Sequence, residues 1–430
     1  MRRAELVESL MYFQQYLGKE KIKKQLNATG CMGEKKFENF EETYQEVKAS
    51  LLESKQSDSK LVTCETLAFG VEKGLITETE LDEVLFRVLE DSLMNAYLFK
   101  IDSHSIALND TDAVLAVLQS WGVSQDKKIL SNISKDAKGL DFVACSYRVY
   151  ETDGSIESLR ILLLDRELVT LGGKNRDQVL VTYPTLIEFD FLNGLGHIRV
   201  KDVDNLETDK EEVGQMSKRI KRTLDHIHSF TPNVNLKEIR GFNKTLYLLE
   251  EDILGKKRAA AEERLKDFNE SIDRFVLEIE SNLGVGSEGM FDTREYISYA
   301  VLSKIASTMQ QNEQGEIVGI KFRNLRETDT KEYASVHISD RGFKCISTDD
   351  VYWFNLPILK THEKVEELKL TREFSSGGYR VVRLEMALDT ANVRMLQRND
   401  HPDKDYHRQP TDEDYLEMIQ YLNSFMRPKE

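Results

Sequence analysis

The apolar positions of this chain keep two rhythms, and the change between them divides it. Through the first hundred residues the rhythm is helical. In KFENFEETYQEVKASLLES, Phe37, Phe40, Tyr44, Val47 and Leu51 recur at three- and four-residue steps and form one stripe. In GLITETELDEVLFRVLEDSLMNAYLF, Thr77 and Glu80 have capping-box spacing, and Leu81, Val84, Leu85, Val88 and Leu89 continue the period.

Near residue 140 the period shortens. FVACSYRVYE, IESLRILLLD, LVTLGG, QVLVTY, LIEFDFL and HIRVKDV are short, rich in β-branched and aromatic residues, and separated by turn residues. Asp153-Gly154 and Asn193-Gly194 are tight-turn signals, because glycine accepts the positive φ that primed hairpin turns need. These runs predict an antiparallel sheet, followed by a helix over TDKEEVGQMSKRIKRTLDHIHSF with Thr208 and Glu211 at its start.

A second helical stretch follows. Ala261, Leu265, Phe268, Ile272, Phe275, Ile279 and Leu283 alternate three- and four-residue steps, with Gly284 placed as a stop. TREYISYAVLSKIASTM predicts one more helix. Strand patterns resume in VGIKFRNL, ASVHI, FKCIS, VYWFNLPI, VEELKLTREF and YRVVRLEMAL, and the chain ends in a helix with Tyr415, Met418, Ile419, Leu422 and Phe425 on one face.

The two strand-rich regions echo one another. Each has Glu-Thr-Asp at its first reversal (Glu151-Thr152-Asp153; Glu327-Thr328-Asp329), then Asp-Arg (Asp165-Arg166; Asp340-Arg341), then a helix opening on Thr-Asp. Internal duplication is the economical reading, with the shared acids serving turns through their own side-chain hydrogen bonds rather than catalysis. The expected fold is α+β. A helical module over 1–100 precedes a β-rich unit with closing helix over 101–232, a helical connector over 233–312 and a second β-rich unit over 313–430.

Composition narrows the function classes. At 430 residues the chain exceeds one ordinary core, and 40% apolar with 31% charged residues is the balance of a folded protein. Its 75 acidic and 59 basic residues leave a net charge of −16, which opposes generic adhesion to phosphate backbones or anionic lipid. Cys31, Cys64, Cys145 and Cys345 have no ligand or disulfide spacing, as expected of buried thiols in a reducing cytoplasm. The start lacks the apolar run of a signal peptide, and no stretch suits a membrane span, so a cytoplasmic location without membrane contact is expected.

Candidate chemistry is thin. There is no GxSxG elbow, and GVGSEG at 284–289 follows a helix and lacks the lysine of a phosphate loop. His226 and His228 are two apart, so a helix points them away from each other and no shared metal is expected. Glu188 and Asp190 lie near His197 and Lys201, as in metal-dependent nucleases. Arg199-Val200-Lys201 lacks the acid that would hold the ion, and a solvated sheet face explains the same alternation. No cofactor is implied.

Two binding surfaces remain. Lys218, Arg219, Lys221 and Arg222, supported by Lys21, Lys23 and Lys24 and by Lys256-Lys257-Arg258, are candidates for nucleic acid. Leu265, Phe268, Ile272, Phe275 and Ile279, within a Leu265–Leu283 stripe of about three heptads, are a candidate interface for a protein partner or self-association, with Trp121 and Trp353 as further anchors. The expectation is therefore a non-enzymatic binding or scaffolding subunit acting in a complex. Low proline and high lysine content suit a bacterial phage-defence or mobile-element accessory, and the alternative is a nucleic-acid-binding or nuclease component of such a system.

Overall fold

The computed structural model describes residues 2–32, 40–53, 58–102, 111–123, 128–133, 139, 141–152, 155–172, 178–201, 206–207, 214–230, 234–283, 293–309, 316–326, 329–340, 343–397 and 403–426. The chain is an α+β protein that divides into two compact units, Met1–Glu238 and Ile239–Glu430.

The first unit opens with helices α1 (Arg3–Met11), α2 (Lys19–Ala28), α3 (Phe40–Glu53), α4 (Ser59–Glu72) and α5 (Glu78–Glu90). Strand β1 (Asn95–Ile101) and helix α6 (Thr111–Ser120) follow, then β2 (Phe142–Thr152), β3 (Ser155–Asp165), β4 (Val169–Gly172), β5 (Gln178–Val181), β6 (Thr185–Asp190) and β7 (Leu195–Val200). The unit ends with β8 (Leu206–Glu207), α7 (Met216–His228) and β9 (Leu236–Glu238). Its main sheet runs β2-β3-β6-β7-β1 with every pairing antiparallel, and β9 also pairs with β1. Strands β5, β4 and β8 form a small separate sheet.

Alternation along β3 sets the layers. Leu162 and Leu164, with Cys145 and Leu186 of neighbouring strands, pack on the N-terminal helices through Leu6, Leu67, Leu81 and Leu85. Residues of opposite parity face the other way, where Trp121 beyond α6 meets Phe189 of β6 edge-on at 6.3 Å. The sheet is thus covered on both faces, which is why strand residues of both parities are buried in β6 and β7. Helix α5 begins as its sequence predicts: the Glu80 amide donates to Thr77 Oγ1 at 3.2 Å while Glu80 Oε2 accepts the Thr77 amide at 2.8 Å. It ends sooner than expected. Asn95–Ile101, anticipated as a continuation of the helix, is the buried strand β1 paired with β7. The apolar run there is continuous rather than periodic, which suits a strand covered on both sides.

The second unit contains α8 (Phe242–Leu265), α9 (Asn269–Leu283), α10 (Thr293–Ser307), β10 (Glu316–Arg326), β11 (Asp329–Ser339), α11 (Asp350–His362), β12 (Glu367–Glu373), β13 (Tyr379–Ala387), β14 (Thr390–Met395) and α12 (Asp412–Met426). Its strands run β11-β10-β12-β13-β14, again antiparallel. FKCIS and VYWFNLPI, expected as strands, are a turn of 3-10 helix and helix α11. Asp349 caps α11 by accepting the Val351 amide at 2.8 Å. Tyr352, Trp353, Leu356 and Leu359 then point inward while Val351 and Phe354 point out, so aromatic content there obscures a helical period.

The echo between the two strand-rich regions does not extend to their connectivity. In the first unit the second strand of the leading hairpin, β3, meets the next strand of the sheet; in the second unit it is the first strand, β10. The echo is also out of register with the turns. Thr152 pairs with Ser155, whereas Arg326 pairs with Asp329, so the two Glu-Thr-Asp stretches enter their reversals at different residues. Asp153, Gly154, Glu327, Thr328, Arg341 and the Thr208–Glu211 cap lie outside the described residues.

The β6–β7 reversal follows its Asn-Gly signal: Gly194 has φ 66°, and Asp190 Oδ1 accepts the Asn193 amide at 3.0 Å. The β13–β14 hairpin makes a tighter reversal without glycine. Leu388 (φ 54°) and Asp389 (φ 60°) both take left-handed conformations between paired Ala387 and Thr390. Such positions strain non-glycine residues by about 1–3 kcal/mol each, least for Asp. Replacing the pair with the preferred dipeptide, as Leu388→Asn with Asp389→Gly, is expected to raise stability by about 1–2 kcal/mol, read as a higher urea midpoint; an unchanged or lowered midpoint contradicts the strain.

Candidate functional site

Glu188 is the residue that sequence patterning ties most closely to chemistry, and the fold buries it. It stands in a cross-strand row, opposite Arg160 of β3 on one side and His197 of β7 on the other. Arg160 donates from Nε at 2.9 Å and Nη2 at 2.8 Å to Glu188 Oε1, and its Nη1 donates at 2.6 Å to Glu90 of α5. Arg199 Nη1 donates to Glu188 Oε2 at 3.3 Å, and the same guanidinium reaches the backbone carbonyls of Leu93 and Glu90. His197 Nδ1 lies 3.6 Å from Glu188 Oε2. Burial alone would raise the Glu188 pKa, but the positive charge of Arg160, with His197 and Arg199, holds it well below the usual carboxylate range.

This face is therefore not the solvated one that its alternation suggests. Glu188 is 1% exposed, and its two oxygens accept from two guanidiniums, so its role is to join α5 to the sheet. Asp165 does similar work on the opposite face. It accepts Arg219 Nη1 of α7 at 2.7 Å and is also paired with Arg222. Arg219 donates further to the Tyr183 carbonyl and Thr185 Oγ1, and its guanidinium lies 3.9 Å from the centre of the Tyr183 ring. Asp165 and Glu188 thus belong to separate ion-pair sets.

Those bonds alter the basic cluster. Arg219, expected to one side of α7, is fully buried under it, and Arg222 lies half-buried over Phe142 at 4.1 Å. Lys218 and Lys221 remain on the exposed side. Two of the other basic groups, Lys21 and Arg258, are similarly pinned. Lys21 donates to Ser92 Oγ at 3.1 Å, and burial pulls its pKa down to about 8; Arg258 is locked onto Glu250 at 2.8 and 2.9 Å. Helix α7 also carries His226, set edge-on against Trp121 and Phe142 at 5.6 and 5.3 Å and against Phe230. Burial, then the Arg222 charge, lowers its pKa. Among the described residues no group of histidine, cysteine and acidic side chains suits a metal ion, and no helix is long and apolar enough to cross a membrane. All four cysteines are buried free thiols.

The interface candidates lie in the second unit, where their seam is divided. The α8 helix gives way to a 3-10 turn over Lys266–Phe268 before α9 begins. Ile272 and Val276 are buried, and Leu265 and Ile279 are half-buried. Phe268 and Phe275 are 46% and 52% exposed, which for phenylalanine means a ring face in water. At about 100° per residue, Phe268, Phe275 and Ile279 fall within roughly 40° of one another, beside the buried line of Ile272 and Val276. The apolar arc of α9 is wider than its intramolecular contact. Helix α10 meets α9 near its start, where Arg294 Nε pairs with Asp273 at 2.6 Å and Nη2 donates to Asn269 Oδ1 at 3.3 Å. Trp121 and Trp353, named as further anchors, are core residues; Trp353 Nε1 donates to the Ser347 carbonyl at 2.9 Å.

Comparison with protein-family models, with curated proteins and with solved structures gives no match to this chain.

Two expectations follow from the buried charges. Replacing Glu188 with Gln leaves Arg160 and Arg199 facing a neutral amide in the interior, which is expected to cost about 3–5 kcal/mol in urea unfolding; a loss below about 1 kcal/mol would remove Glu188 as the keystone of the α5 contact. Acidification should weaken the first unit in two legs. Below the ordinary histidine value of 6.5 the unfolded chain binds a proton at residue 226 that the folded chain, with its lowered pKa, refuses. Below 4.5 the same asymmetry applies at Glu188. Stability is therefore full above 6.5 and falls with pH, and His226→Phe should flatten the first leg in urea titrations between pH 7.5 and 5.5.

Proposed function

We propose that this chain is a non-catalytic subunit that works by association, pairing with a second copy of itself along the outer arc of α9 and the turn preceding it. The observation that carries this reading is the pair of exposed rings, Phe268 and Phe275, beside half-buried Ile279. Scattered apolar residues on a surface need no explanation; two exposed rings and an isoleucine aligned along one helix and the turn before it do.

The order of residues along that line favours self-pairing. Leu265 and Phe268 precede Ile272, and Phe275 and Ile279 follow it at nearly mirrored spacing. A copy laid antiparallel across the same helix meets Leu265 with Ile279 and Phe268 with Phe275. This is the self-complementarity that a two-fold interface requires. The flanking charges, Arg264 on one side of the centre and Glu278 on the other, also approach opposite partners in that arrangement. Aromatic anchors in a helical seam bury large areas per residue and lose little side-chain entropy, so few are needed to centre an interface.

The test is mass in solution, by sedimentation or light scattering. One chain weighs 49.6 kDa. The wild type is expected at about twice that mass, and Phe268→Asp with Phe275→Asp at the single-chain mass with an unchanged circular dichroism spectrum, since both rings are outside the core. A wild type that stays at the single-chain mass up to roughly 100 µM overturns the proposal, because a two-fold interface of standard size holds well below that concentration.

A further inference from the structure

Among the described residues, the sheet of the first unit ends at β2, which ladders with β3 alone. Beside this edge lies a cavity of about 640 Å³. Ser146, Tyr147, Arg148 and Val149 all line it, followed by Glu151. Consecutive strand residues point to opposite faces of a sheet, so a cavity that touches four in a row meets the strand along its edge. One wall is the start of α5, and the other is α6 with Val114, Leu115 and Leu118. Irregularities in the β2–β3 register between Ala144 and Ser146 and between Tyr150 and Glu151 bracket the regular stretch. The result is a trough roughly 16 Å long, at about 3.3 Å per residue, with backbone along its floor and a helix on each side.

We infer that this trough takes an extended peptide segment of a partner protein, added as a strand along the outer edge of β2 at Ser146–Val149 and carrying lysine or arginine between apolar residues. Strand addition draws affinity from main-chain hydrogen bonds and selectivity from alternate side chains. Here the α6 wall offers Leu115, 52% exposed, and Leu118 to apolar positions. The rim offers carboxylates: Glu80, Asp82, Glu83 and Glu151 outnumber Lys128 and Arg148. Arg148 is already engaged, donating to Glu83 at 2.7 Å and Ser146 Oγ at 2.9 Å. It also donates to the Tyr147 carbonyl at 2.6 Å, covering the strand edge much as a charged side chain guards an unpaired strand. An incoming cation would take its place on Glu83. Asp82 adds a reason: burial raises its pKa, opposed by the Ile129 amide 2.6 Å away and by Arg148, so a further positive charge relieves a desolvated carboxylate.

This site is independent of the α9 arc, and its test reads a different signal. The probe is a fluorescein-labelled, end-capped hexapeptide of alternating valine and lysine, followed by fluorescence anisotropy against the full chain. Two comparison peptides accompany it: one with glutamate for lysine, and one with alternate backbone amides N-methylated. Binding of the valine–lysine peptide is expected, with at least about tenfold loss on N-methylation, which keeps the charge but removes ladder donors. Leu115→Lys, at an exposed position, is expected to lose about tenfold as well, with its urea midpoint unchanged. Absence of binding, equal binding of the N-methylated peptide, or wild-type affinity in Leu115→Lys overturns the inference. A dimer mass that Leu115→Lys alone abolishes would place a second copy in the trough, and would overturn it too.

Discussion

Arginine–carboxylate pairs taken out of water are what this architecture depends on. A guanidinium cannot shed its charge, so every buried one requires an acid and further acceptors in fixed positions. Arg160 and Arg199 fix Glu188 against α5, and Arg219 fixes α7 on Asp165 and Thr185. In the second unit Arg258 joins Glu250 to Tyr352 of α11, and Arg380 of β13 meets Asp414 of α12 at 3.0 Å. Each of these arginines ties together elements that apolar packing alone would let slide, Arg258 doing so through the Tyr352 hydroxyl rather than through its acid. Hydrophobic burial supplies the driving force without direction, whereas a forked guanidinium accepts one geometry.

That division of labour explains what the sequence could and could not reveal. Periodicity reports which side of an element is apolar, and it correctly located strands β2 to β7 of the first unit (though not β1), the Thr77–Glu80 cap of α5 and the inward line of Tyr415, Met418, Ile419 and Leu422 in α12. It carries no information about whether the polar side is wet. In LIEFDFL, Glu188 alternates with apolar residues as it would on a solvent face; its partners lie 28 residues before it at Arg160 and, through that arginine, on a helix at Glu90. Arg219 was hidden for the same reason. Among four basic residues in a row of five, charge alone cannot identify the one whose face turns inward, and Thr223 and Ile227, one and two turns on, are the local hints. Aromatic and β-branched content misled in α11, where Asp349 as a cap was the better signal.

The recurring acids between the two strand-rich regions have an instructive resolution. Asp340 performs the turn chemistry its context suggests, accepting the Lys344 amide at 3.0 Å. Asp165, its apparent counterpart, instead anchors a helix. Both units clamp their closing helix with a buried ion pair, but with the polarity reversed. Helix α7 brings the arginine to a strand aspartate, while α12 brings the aspartate to a strand arginine. With different strand orders as well, the resemblance is one of engineering solution: a helix laid on an antiparallel sheet needs one directional contact, and either sign serves.

The same logic bears on where partners can attach. Charges already matched internally are withdrawn from a polyanion, and α7 illustrates this, since its two guanidiniums face its own sheet while Lys218 and Lys221 stay exposed. Among the described residues, two other kinds of surface stand out. One is apolar area, on the arc of α9 that extends past Ile272 and Val276 to Phe268 and Phe275. The other is hydrogen-bonding capacity, along the edge of β2 where Arg148 lies as a provisional cover. Apolar area binds strongly but tolerates many partners, while a strand edge is directional and tolerates few sequences once flanking walls read its side chains. As proposed, a subunit with both would hold its own copies together by the first and choose among extended segments by the second, exchanging only the half-buried Arg148–Glu83 pair and leaving the buried pairs of Glu188, Asp165 and Asp414 in place.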